Sequence, residues 1–240
     1  MTRHRPLLSS LCAATLVAGF AGCAQDGGDK TILITNNMVP ADMCLLMPTE
    51  TGPFRGAGTL DLAGSGGYLF FPLIKNLTSS NNGTLTSNRT FFAEGFRITL
   101  SSPDPVTQAA IADRDSYTIL TGFSVAPDNS LFGASVQVLS SPVVEALVAR
   151  LAKFESTQIV ASVEVIGTLS GDQVSSNAFD FPITVCIQCL VTDLGPCDML
   201  DSAFTVTSPG NSCNPGQDQA VQCCSTPQGN VCPAIGTKQP

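Results

Sequence analysis

Cys186-Ile187-Gln188-Cys189 is the place in this chain where residue type and spacing together suggest chemistry. A C-x-x-C pair sets two sulfurs at the spacing of half a zinc knuckle or of a redox-active dithiol. Zinc needs two further ligands, yet there is no second C-x-x-C and the only histidine is His4. A redox-active pair ordinarily opens a helix in an α/β fold; here it ends an alternating run that reads as a strand. The expectation is a structural disulfide and no bound metal. Ser-His-Asp and Cys-His machinery needs a histidine beyond position 4, and no serine sits in a Gly-x-Ser-x-Gly elbow. Carboxylate pairs could support glycoside hydrolysis, but any acidic chain offers them. There is no tryptophan, and only Tyr68 and Tyr117, to form a sugar platform. Asp113-Arg114-Asp115-Ser116 carries oxygens for calcium without the ligand ladder of a binding loop. The chain thus offers no catalytic residue, no metal site and no cofactor; a histidine-independent hydrolase is the alternative.

The start of the chain sets the compartment. Met-Thr-Arg-His-Arg is basic, residues 7–20 form an apolar run, and Ala21-Gly22-Cys23 follows. A positive region, a short apolar region and small residues at the exit mark an export signal. The run is shorter than the roughly 18–20 residues a membrane-spanning helix needs. With a cysteine directly after Ala-Gly, residues 1–23 resemble a bacterial lipoprotein signal. That resemblance implies cleavage before Cys23 and its acylation, including palmitate. Ala24 stands where an Asp would mark inner-membrane retention, so the resemblance implies the outer membrane. Cleavage after Ala24, giving a secreted protein, is the alternative.

Removal of the leader takes away Cys12, and acylation or cleavage takes Cys23 out of the count of ten, which leaves Cys44, Cys186, Cys189, Cys197, Cys213, Cys223, Cys224 and Cys232. In an oxidising compartment an even set of eight reads as four disulfides. Seven of the eight lie beyond residue 185, so one of them must reach outside that region, and Cys44 is the expected partner. The same removal takes Arg3 and Arg5, leaving 9 basic residues against 19 acidic ones and a formal charge of −10. Such a surface repels phosphate, which excludes nucleic acid as a partner. With 43% hydrophobic and 12% charged residues, the chain has ample material for a core.

The elements that would carry these cysteines are mostly strands. Tyr117, Ile119, Thr121, Phe123 and Val125 alternate with smaller or more polar neighbours. So do Phe132, Ala134, Val136 and Val138; Ile159, Ala161, Val163 and Val165; and Phe179, Phe181, Ile183 and Val185. Period two puts one face of a strand in a core. Residues 91–100 read as another strand. Residues 69–77 are apolar on both faces and read as a central one. Ser-Pro-Asp-Pro at 102–105, Ala-Pro-Asp-Asn at 126–129 and Ser-Gly-Asp at 170–172 read as turns. One helix is expected, capped by Ser141-Pro142, with Val144, Leu147, Val148 and Leu151 on its apolar face. Sequons begin at Asn76, Asn82 and Asn88, inside or beside a polar loop.

The fold expected is mainly β: an immunoglobulin-like or jelly-roll-type sandwich over 58–186 with one short helix. A tether and lead-in segment occupy 24–57, and a disulfide-rich appendage occupies 187–240, too poor in large apolar residues to fold without its bridges. The function expected is a non-catalytic envelope protein for binding, adhesion or scaffolding. It would be anchored to the membrane by its N-terminal lipid and would contact an envelope or extracellular protein or glycan through the 78–90 loop and the 198–232 tail. A secreted, cysteine-rich inhibitor-like binder is a further alternative.

Overall fold

The structure is a computed structural model that describes residues 30–80, 89–201 and 205–234. Cys23, most of the 78–90 loop, and residues 202–204 of the tail lie outside these. In chain order the strands and helices are β1 (Ile32–Asn37), β2 (Gly58–Asp61), β3 (Leu69–Phe70), β4 (Pro72–Asn76), β5 (Phe91–Ser101), α1 (Pro105–Ile111) and β6 (Ser116–Val125). They continue as β7 (Leu131–Gly133), β8 (Val136–Gln137), α2 (Ser141–Arg150), β9 (Ser156–Leu169), β10 (Asp172–Ser175), β11 (Phe179–Cys186), β12 (Val191–Pro196), β13 (Val221–Thr226) and β14 (Gly229–Val231).

The long alternating runs build one large sheet in the order β2-β11-β9-β5-β6, with β10 folded back on the end of β9. All its pairings are antiparallel except β2 with β11. Its inner face contributes Phe91, Phe96, Ile98, Leu100, Ile159, Val163, Phe181 and Ile183 to the main core. The opposite layer is a smaller sheet, β1-β4-β7, beside the two-stranded pair β3-β8. Ile32, Ile34, Tyr68, Phe70, Ile74 and Val136 close the core from that side. The result is a mainly β, sandwich-like body, and it takes in β1 from the segment expected to be only a lead-in.

Two helices are present where one was expected. The additional helix, α1, starts inside Ser-Pro-Asp-Pro. The Asp104 carboxylate accepts the Val106 and Thr107 amides, and Pro105 occupies the first turn, so the residues read as a turn are a helix cap. In α2, Val143, Val144 and Leu147 are buried and Leu151 follows them into the core, while Val148 is left exposed. Residues 69–77 are also not one central strand. Phe70 pairs with β8, Pro72 opens β4, and both lie in the smaller layer. They are apolar on both faces because Phe70 and Ile74 face the main core, while Phe71 and Leu73 face a second cluster with Met38, Leu46 and Phe54.

The appendage supplies a small sheet, β12-β13-β14, whose apolar content is two clusters of a few residues each. Its disulfides are Cys197–Cys224 and Cys223–Cys232, and Cys44–Cys213 joins it to the N-terminal part of the chain. The fourth bridge, Cys186–Cys189, ends β11. Appendage residues also seal one edge of the large sheet. The Asp61 amide donates to the Gly216 carbonyl and the Asp218 amide to the Thr59 carbonyl, each at 2.8 Å.

Candidate functional site

Residues 38–54 have little regular structure beyond a short 3-10 turn at Asp42–Cys44, and three of their large apolar side chains lie in solvent. Met43, Leu45 and Met47 are 91%, 58% and 64% exposed. Cys44 and Leu46 point the other way, Cys44 into its bridge with Cys213 and Leu46 against Met38, Phe71 and Leu73. The loop is thus fixed at Cys44 by a covalent bond and at Leu46 by packing. Ala41 and Leu45 form an isolated bridge, and Met43 and Cys44 take left-handed backbone angles, φ 58° and 60°, to make the turn between them. The apolar rim is held in place rather than loose.

Two depressions meet at residues 39–41, next to the rim. One, of about 480 Å³, lies between Val39, Pro40 and Asp42 on one wall and Pro209, Asn211 and Pro233 on the other. The second, of about 250 Å³, is bounded by Met38, Met47, Pro53 and Phe54 and shares Val39 and Pro40 with the first. The N-terminal segment and the appendage therefore form a single face with apolar and proline-lined hollows on either side of residues 39–41.

A buried polar clasp holds the two halves of this face together. Asp218 Oδ2 accepts the Tyr68 hydroxyl at 2.9 Å and lies 3.2 Å from Arg55 Nε, while Oδ1 accepts the Thr59 amide at 2.8 Å. The Asp218 side chain is 3% exposed, and these groups take the place of water around its oxygens. Next to it, the Gln217 amide pairs with both the N–H and the C=O of Leu69, as a neighbouring strand would. Burial, then the Asp218 charge, pushes the Tyr68 phenol far above its ordinary value. Burial likewise pushes Tyr117 up to about 12, and its hydroxyl donates to the Val138 carbonyl. Both phenols are protonated hydrogen-bond donors near neutral pH, not bases.

The sites read from the sequence fall as follows. All eight cysteines are described, and they pair as four disulfides. Asp61 joins Cys186 and Cys189 in the one described cluster with metal-ligand atoms close together. Its carboxylate, however, accepts the amides of Ala63 and Gln188 on one oxygen and of Leu190 and Val191 on the other. That carboxylate is a backbone cap, and the two sulfurs are bonded to each other. Around 113–116, Asp115 accepts from Gln108 and Arg114 donates to the Pro142 carbonyl, which secures a turn before β6. Asn76, the first sequon residue, is fully buried and donates to the Arg89 and Val125 carbonyls. The 198–232 tail does form part of the face described above. Sequence reasoning missed the Met43, Leu45 and Met47 rim and the Asp218 clasp. The rim had a visible signal, an apolar Met-Cys-Leu-Leu-Met run in a segment without strand neighbours; the clasp had none.

No protein-family model, no curated protein and no solved structure matches this chain.

Proposed function

We propose that this chain is an exported, lipid-anchored, non-catalytic component of the outer membrane that holds an envelope protein against the face around residue 43. The observation that carries the reading is the rim of Met43, Leu45 and Met47, three large apolar side chains kept in water by a disulfide-fixed loop. Contiguous exposed apolar groups mark sites of association, and methionine adapts its shape to an apolar partner. The adjoining hollows would receive the partner's side chains. Four disulfides support a location outside the reducing cytosol, and no described helix is long and apolar enough to cross a membrane. Anchoring through Cys23 rests on the resemblance of residues 1–23 to a lipoprotein signal.

Two measurements test this. A photo-crosslinking side chain at position 45 should give one discrete protein adduct in intact envelopes, and none once Met43 and Met47 are changed to Ser. The same probe at Thr99, on the open face of the large sheet, should give none. Equal crosslinking at both places would defeat the binding face. The intact mass of the mature protein tests the anchor: a diacylated Cys23 supports it, and an unmodified N-terminus after Ala24 removes it.

A further inference from the structure

We propose that Cys186–Cys189 is a thiol–disulfide exchange site, and that a dithiol of an extracytoplasmic protein is its reaction partner. The inference is independent of the binding face.

Three observations carry it. The two sulfurs are unequally placed: Cys189 is exposed at the end of the turn, and Cys186 is 1% exposed beneath it. An incoming thiolate can therefore reach only the Cys189 sulfur. Second, the turn does not depend on its disulfide. Asp61 holds the amides of Gln188, Leu190 and Val191, the Leu62 amide donates to the Cys186 carbonyl, and Ile187 exchanges backbone bonds with Phe154 and Glu155. Opening the S–S bond leaves this frame in place. The bridges of the appendage differ, because Cys197, Cys223 and Cys224 are themselves much of the core of their small clusters. Third, the reduced form has a partner ready. The Cys186 sulfur lies 3.4 Å from the Leu60 carbonyl oxygen. A disulfide sulfur has no proton to give that oxygen, and a thiol does.

The exchange runs in two steps. A partner thiolate attacks Cys189 Sγ; a bond forms between partner and Cys189, the Cys186–Cys189 bond breaks, and Cys186 leaves with the electron pair and takes up a proton. The partner's second thiolate then attacks the partner sulfur of the mixed disulfide. This closes the partner's own disulfide and releases Cys189, which takes the second proton. The partner dithiol is oxidised by two electrons and Cys186–Cys189 is reduced to two thiols. In reverse, the exposed Cys189 thiolate is the nucleophile.

The test is a redox titration of the full oxidised chain with dithiothreitol, quenched with a maleimide and read by peptide mass spectrometry alongside near-ultraviolet circular dichroism. Cys186 and Cys189 should be labelled while Cys197, Cys223, Cys224 and Cys232 are not and the dichroism is unchanged. Removal of the reductant should restore the bridge. Labelling of Cys186 and Cys189 only together with those four, or only as the dichroism collapses, would overturn the proposal. Single variants test the polarity. With oxidised glutathione, Cys186→Ser should form a mixed disulfide at Cys189 at least tenfold faster than Cys189→Ser forms one at Cys186. Equal rates, or the reverse order, would also overturn it. If either variant fails to fold, the titration of the unaltered chain still decides.

Discussion

Tyr68 donates its hydroxyl proton to Oδ2 of Asp218 across 150 residues of sequence, at 2.9 Å and with both side chains buried. The bond ties the core of the sandwich to its appendage. A hydrogen bond to a buried charge contributes about 1.5–3 kcal/mol, so Tyr68→Phe should lower unfolding stability by that amount. Asp218→Ala should cost more, about 3–5 kcal/mol, because Arg55 is left without its partner. Urea unfolding of the three proteins measures both; equal, negligible losses would show that the clasp holds nothing.

The same burial sets an alkaline limit. The chain has two tyrosines and no tryptophan, and burial raises both phenols, Tyr117 to about 12 and Tyr68 further. A group whose folded pKa lies above its unfolded value of about 10 contributes stability that is complete below that value and is lost as pH rises through the folded one. Stability should therefore hold to about pH 10 and fall between there and 12. Phenolate absorbance should stay small in the folded protein above pH 10 and reach its full value on adding urea.

The disulfides should differ in what they contribute to folding. In the chain-entropy relation, closing the 169-residue separation of Cys44–Cys213 is worth about 5 kcal/mol, and closing the short Cys186–Cys189 turn about 2 kcal/mol. The paired serine variant of the first should thus lose more stability, and its loss should come with increased proteolysis between residues 40 and 50. A reversed order would mean that Met38, Leu46 and Phe54 hold that loop without the bridge.

Gly167 tests the packing of the large sheet. A Cβ there would collide with the Phe92 carbonyl oxygen and the Ala93 Cα, which are backbone and cannot turn aside, next to the bulge between Ala93 and Gly95. Gly167→Ala should cost about 1–3 kcal/mol, the range of an overpacked core. Gly122→Ala, which would meet nothing within 4 Å on β6, should cost far less.

The parts of this fold that the sequence made legible are those with one buried face. β6, β9 and β11 announce themselves because every second residue enters a single core. α2 does so because Val144 and Leu147 recur at helical spacing. α1 has only seven residues, too few for a period, and its cap is written in the same Ser-Pro-Asp-Pro letters as a turn. The 69–77 run hid its break at Phe71 because two separate clusters bury its two faces. Parity among the cysteines pointed Cys44 toward the C-terminal region, and the structure bonds it to Cys213. Asp218 could not be found in this way: one acid among nineteen becomes distinctive only when Arg55, Thr59 and Tyr68 converge on it.

The seal on the large sheet by Gly216 and Asp218 has a bearing on when this protein becomes itself. A polypeptide made from its N-terminus has β2 in hand early, but the residues that cover that strand's bare amides and carbonyls arrive only with Gly216 and Asp218, late in the chain. Until then it carries an open hydrogen-bonding ribbon, the feature by which unfinished β proteins adhere to one another. A chain truncated before residue 216 is therefore expected to be a sticky remnant rather than a shorter working molecule.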